Sequence, residues 1–238
     1  MEGIFPGCYF DISRNINAPN ASGVGSKRIL IIGVHSFVGS CYDNYNHGSV
    51  TRIWKNHIVC MPFRTFGNSR MADSNSSGYF AYYDSYMNQQ VIGLPTTTGN
   101  ISGTINEQLY AEFGNHLMTY YQHLPIEYTD ETTQTKRIKN DWRFVQAIIP
   151  SEIEVLGSHV LSPTGYNALG TGSNNRTFPA FIYNNLNISN GDSYWFRDRI
   201  NNDRTSYSHI PYYDYRGYSE ANDGKSNAIA CRPYFLLG

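Results

Sequence analysis

Apolar positions in this chain come in short bursts separated by long polar stretches. Arg28 to Gly33 (RILIIG), His57 to Met61 (HIVCM), Trp142 to Ile149 (WRFVQAII) and Ala228 to Leu237 (AIACRPYFLL) are short and β-branched or aromatic, which predicts strands. Between them, Glu107 to His123 (EQLYAEFGNHLMTYYQH) places Leu109, Phe113, Leu117 and Tyr121 four residues apart, close to one face of a helix, with Asn106 as its cap and Pro125 as its stop. A second helix is expected around Tyr82 to Val91. A short third follows Pro150, where Ser151 can cap and Glu152 and Glu154 suit the positive end of the helix dipole. The remainder is rich in Gly, Asn, Ser and Tyr, so the pattern predicts an α+β fold with long loops.

One segment stands outside this pattern. SYSHIPYYDYRGYSEANDG, Ser206 to Gly224, holds five tyrosines and, of Val, Ile and Leu, Ile210 alone, with Pro211 directly after it. A core strand needs aliphatic residues at alternating positions, and proline breaks a central ladder, so the segment reads as surface loop.

Composition narrows the picture. At 238 residues, with 40% hydrophobic and 16% charged residues, the chain suits one folded, loop-rich domain over 1–238. A net charge of −1 with scattered basic residues gives no electrostatic reason to expect nucleic acid as a partner. No apolar run approaches the roughly 18 residues of a membrane span, so membrane insertion is not expected. Met1 runs straight into domain-like sequence, so the chain is read as a piece of something longer behind an added start codon.

No catalytic or metal-binding pattern emerges. Cys8, Cys41, Cys60 and Cys231 are too widely spaced for a zinc or redox pair and are expected to be buried thiols. The seven histidines form no HExxH, and His116 and His123, seven apart on the predicted helix, lack a carboxylate partner there. Ser219 to Ser226 (SEANDGKS) would match a phosphate loop only with Gly at 219; Asn222-Asp223-Gly224 reads instead as a turn into the next strand. Asp198, Asn201, Asn202 and Asp203 are the sole local cluster that could interest calcium, and no cofactor or metal is expected. Arg232, inside an apolar strand, is read as a structural charge held by an acid or by loop carbonyls.

An ordered set of segments resembles a domain of unknown function found at the ends of tail, fibre and other virion proteins of phages infecting gut Firmicutes and their relatives. The segments are IFPGCYFDI (4–12), HIVCMPFRTFGNSRM (57–71), SGYFAYYDSYM (77–87), the helix near 107–123, IIPSEIEVLG (148–157), GTGSNNRTFPAFIY (170–183), DSYWFRD (192–198) and ACRPYFLLG (230–238). The chain departs from that pattern with Ala230-Cys231 where Gly-Val usually precedes Arg-Pro, and with an aromatic stretch around Tyr79 to Tyr86. The resemblance implies a C-type-lectin-like fold, related in shape to formylglycine-generating enzymes, with small antiparallel sheets, two main helices and long loops. It implies a virion-associated binding or structural module at the tail, fibre or capsid surface, not an enzyme. Other virion proteins and a homotrimer are the partners it implies.

Some relatives of that domain end in a region rewritten by a diversity-generating retroelement, whose adenine-directed changes turn Asn codons into many others but never into Lys, Glu, Gln, Met or Trp. From Asp198 to Asn227, Glu220 and Lys225 alone fall outside that alphabet. Apart from that history, tyrosine supplies rigid amphipathic contacts while Ser, Asn and Gly supply adaptable hydrogen bonds, the composition that paratopes use. The expected function is host-receptor recognition by Tyr207, His209, Tyr212, Tyr213, Asp214, Tyr215, Arg216, Tyr218 and Asn222. The alternatives are a capsid or tail decoration whose loops make virion contacts, and a cell-surface glycan hydrolase, which would need two carboxylates about 5–10 Å apart.

Overall fold

A computed structural model describes residues 3–21, 25–37, 42–46, 49–72, 81–157, 177–183, 193–199, 206–210, 220–224 and 228–238. Among them the fold is α+β, built from three small sheets and few helices. The first sheet runs β1 (Tyr9–Ile16), β2 (Ser26–Val34), β5 (Ile58–Pro62), β14 (Tyr234–Leu237), β9 (Ala147–Ile148). The second runs β12 (Glu220–Gly224), β11 (Ser206–Ile210), β10 (Tyr194–Arg199), β13 (Ile229–Ala230), β6 (Asn68–Ser69). The third runs β4 (Ser49–Arg52), β3 (Tyr42–Asn46), β7 (Tyr120–Thr129), β8 (Lys136–Val145). The described pairings are antiparallel except that of β10 with β13.

The apolar bursts form the inner strands. Leu30, Ile31 and Ile32 of β2 and Tyr234, Phe235 and Leu236 of β14 are buried, as strands covered on both faces must be. Aromatic side chains from distant segments meet beside them: Phe37 stacks on Tyr234 with ring centroids 5.8 Å apart, and Phe178 meets the same tyrosine edge-on at 5.0 Å. Phe178 directly precedes helix α3 (Pro179–Tyr183), which brings the segment TFPAFIY onto β2 and into this core.

Two helix expectations change. Helix α1 is Ile105–Phe113, capped by Thr104, whose side chain accepts from the Glu107 amide while the Glu107 carboxylate accepts from the Thr104 amide. Asn106 is not the cap: it is buried, donating to the Gly93 carbonyl at 2.6 Å and accepting from the Ala147 amide at 3.1 Å. Gly114, with φ of 55°, ends the helix, and a 3₁₀ turn over Gly114–His116 leads towards β7. Leu117 bridges to Leu237, and Tyr121, His123 and Pro125 lie within β7. A spacing of four is also an even spacing, so the apolar set that suited a helix suits one side of an extended chain equally well. The other expected helix is a π-helical segment over Met87–Ile92.

The remaining expectation is sharpened. Helix α2 (Glu152–Leu156) carries the foreseen cap: Ser151 accepts from the Glu154 amide, Glu154 accepts from the Ser151 amide, and Gly157 closes the helix in the left-handed conformation with φ of 79°. Among the described residues, no helix is long and apolar enough to cross a membrane.

Candidate functional site

The Tyr-rich segment begins and ends in strands. Ser206–Ile210 is β11, paired with β10 through Tyr194–Ile210, Trp195–His209 and Arg199–Tyr207. Glu220–Gly224 is β12, paired with β11 through Ser206–Gly224, Tyr207–Asp223 and His209–Glu220. Two expectations are thereby corrected: these stretches are not loop, and Asn222-Asp223-Gly224 is strand, not turn. β11 ends at Ile210, and the next residue in the sequence is Pro211, which has no amide hydrogen to donate to a ladder. Tyr207, His209 and Asn222 therefore stand on a two-strand extension at one end of the second sheet. Tyr212, Tyr213, Asp214, Tyr215, Arg216 and Tyr218 lie outside the described residues, in the sequence between the two strands.

What carries this extension is β10, and its chemistry is unusual. Tyr194, Trp195, Phe196, Arg197 and Asp198 are all buried, two of them charged. The Arg197 guanidinium grips Glu154 of α2 through two parallel bonds of 2.6 and 2.9 Å, and Nη1 also donates to the Ile149 carbonyl at 2.9 Å. Both side chains of the pair are fully buried. Glu154 accepts from the Tyr234 hydroxyl at 3.0 Å, and that hydroxyl accepts from Gln122 Nε2 at 3.1 Å. A charge pair this deep survives only when its remaining acceptors are satisfied, and here they tie α2, β7, β10 and β14 together. Burial alone would lower the Arg197 pKa, but the adjacent Glu154 carboxylate outweighs it and holds the guanidinium charged.

The neighbours of this pair fix the strand from its other sides. Trp195 Nε1 donates to the Ser69 carbonyl at 2.9 Å. Arg232, fully buried, donates to the carbonyls of Pro62 and Phe63, both at 3.1 Å, and lies 5.0 Å from the centroid of the Tyr194 ring. Among the described residues, Arg232 is thus held by backbone carbonyls at the end of β5 and directly after it. Burial pushes the Tyr194 hydroxyl up to about 12.

Asp198 is buried at the end of β10, accepting from the Glu152 amide at 2.6 Å, while Asn201, Asn202 and Asp203 lie outside the described residues. Burial, then the nearby Glu152 carboxylate, push the Asp198 carboxyl up to about 7, against the pull of Arg197. The unfolded chain releases this proton near 3.8 and the folded chain near 7, so Asp198 costs stability progressively as pH rises between about 4 and 7. Asp198→Asn keeps an acceptor for the Glu152 amide and is expected to match the parent's denaturation midpoint near the lower pH and exceed it above the upper one. Equal midpoints throughout would show that Asp198 titrates normally.

Glu152, Glu154 and Asp198 bring three carboxyl groups into one region, yet all are buried and Glu154 is committed to Arg197, so they are closed to a polymeric substrate. Cys60 and Cys231 are buried as expected, and burial raises both thiols; Cys8, against expectation, is exposed. Cys41 lies outside the described residues. Among the described residues, no group of three or more His, Cys, Asp or Glu side chains could hold a metal ion.

A separate open cavity of about 470 Å³ is walled by Ile4, Ile58, Phe113 and Leu237, with His57 at its side. His57 has both ring nitrogens engaged, Nδ1 with the Lys55 carbonyl and Nε2 accepting from the Phe37 amide, so it serves the fold.

The Glu154–Arg197 pair was not foreseen. The signal was present in halves: a helix-capping glutamate in SEIEVLG and an arginine inside the aromatic strand YWFRD. Only the fold joins residues 43 apart. Compared with protein-family models, curated proteins and solved structures, the chain matches none.

Proposed function

We propose that this chain is a phage virion domain of C-type-lectin-like fold that presents the segment 206–224 to a receptor on the host cell. The observation that carries the proposal is the contrast between the two parts of the second sheet. β10 is locked by a fully buried ion pair, an indole bond and a stacked arginine. The strands hung on it, β11 and β12, bracket a segment with four tyrosines, a fifth, Tyr207, standing on β11, together with the small polar residues of a paratope. A binding surface gains affinity when its support is rigid, because less conformational freedom is lost on docking. The ordered segments that resemble tail and fibre domains support the virion context, and the α+β fold of small sheets is compatible in general terms with a lectin-like domain.

On this proposal the role is binding and not catalysis, and the location is the tail, fibre or capsid surface. Purified chain is expected to bind host cells saturably and to compete with phage particles for adsorption. Absence of competition, with the tyrosines buried against a neighbouring protein in a map of the particle, would make the domain a decoration or assembly module instead. A reverse-transcriptase gene beside a near-copy repeat differing only at adenines would add that 198–227 is diversified; a gene with neither would exclude it.

A further inference from the structure

The hairpin of β7 and β8 carries a second surface with its own chemistry. One face is core: Tyr120, Gln122, Leu124, Ile126 and Val145 are buried. On the opposite face, register pairs Tyr121 with Phe144 and His123 with Trp142. Both pairs are in ring contact, with centroids 4.9 Å apart and planes at 41° in the first, and 5.1 Å and 39° in the second. Phe144 is 37% exposed, and Tyr121, His123 and Trp142 are partly exposed. The two rows are about 7 Å apart along the strands. Four rings thus form a patch of two tilted pairs fixed in place by cross-strand packing, with β8 at the edge of its sheet.

We infer that this patch, Tyr121, His123, Trp142 and Phe144, binds an uncharged glycan by stacking its pyranose rings. The apolar C–H face of a pyranose carries slight positive charge and complements the negative face of an aromatic ring, while its hydroxyls stay in water or bond at the rim. The electrostatics select against the other users of aromatic platforms. Between Tyr120 and Val145 there are four acidic and four basic side chains. Lys136 pairs with Glu127, Arg137 with Asp130 and Arg143 with Asp141, each at 3.1 Å, and Lys139 lies 5.4 Å from the centroid of the Tyr128 ring. A single-stranded nucleic acid or an acidic polysaccharide needs a net positive track, and this hairpin has none. A protein partner finds its anchors in pockets, and none of these four rings lines the described cavity. Burial lowers the His123 pKa, which keeps the imidazole a neutral stacking ring at pH 7. The inference is independent of the receptor role proposed for 206–224, whose described strands, β11 and β12, belong to another sheet.

The test is calorimetric titration of the full chain with cellohexaose, chitohexaose and mannohexaose, with tryptophan emission followed in parallel. At least one sugar is expected to bind and to shift the emission. Trp142→Ala and Phe144→Ala are each expected to weaken that binding about tenfold, the worth of one stacked ring. Trp142→Tyr keeps a ring in place and is expected to retain most of the affinity, which separates lost stacking from a loosened hairpin. Thr132→Ala, at the hairpin turn, should bind as the parent does. Failure of all three sugars at millimolar concentration overturns the inference. So does parental affinity in a folded Trp142→Ala chain, or binding of an oligo-dT strand in preference to every sugar. Changes at Tyr207 or Tyr212 are expected to leave the sugar titration untouched, so loss of one site is distinguishable from loss of the other.

Discussion

Arg197→Ala is expected to destabilise the protein by about 3–5 kcal/mol, the range for removing one partner of a buried ion pair. The alanine leaves the Glu154 carboxylate buried without its two charge-assisted bonds, while Glu154 must still accept from Ser151 and Tyr234. The Ile149 carbonyl loses a donor as well. Arg197→Lys should recover only part of the loss, because an ammonium cannot reproduce the planar two-bond grip. Denaturant titration of the three proteins checks this: the midpoint should fall steeply for alanine and by an intermediate amount for lysine. Coinciding midpoints would mean that the pair contributes nothing to the frame.

Trp195→Ala is the second large effect, again about 3–5 kcal/mol, for removal of a fully buried indole. Its cost has two parts. The indole volume lies in the central core cluster, and Nε1 satisfies the Ser69 carbonyl of β6, so the change opens a cavity and leaves an acceptor unserved. Trp195→Phe restores most of the volume but not the bond, so its own loss against the parent reports the hydrogen bond, about 1 kcal/mol, and the difference between the two variants reports the ring volume. Because Trp195 stands opposite His209, thinning of the core here should also raise hydrogen exchange at the β11 amides. Exchange at β11 that stays at the parental rate would separate the core from the strand it faces.

The parts of the fold that were legible in the sequence are those whose side chains are decided by burial alone. β2, β5 and β14 announce themselves because strands covered on both faces are runs of Ile, Val, Leu and Phe. Ser151 and Glu154 announce α2 because a capping box is a local device spanning three residues. β7 was obscured: Tyr120 to Pro125 has strand-forming aromatics, but its even spacing also fits a helix, and the Gly114 stop outweighed the apparent continuity. β11 and β12 were illegible because their pairing partners, not their own Tyr, Ser and Asn residues, make them strands. The same reason hid the frame beneath the proposed receptor surface. Glu154 had a sufficient local explanation at the positive end of the helix dipole, and nothing in the residues around it indicates that a second task links it to Arg197.

The central claim is that the tyrosines of 206–224 bind the host while β10 and its ion pair support the strands β11 and β12 at either end of that segment. The most direct measurement is adsorption competition by the chain carrying Tyr207→Ala, Tyr212→Ala, Tyr213→Ala and Tyr215→Ala together, beside its thermal unfolding. The account predicts that competition is lost while the unfolding midpoint stays close to the parent's, since the buried frame is untouched. Undiminished competition by a folded quadruple variant would contradict it.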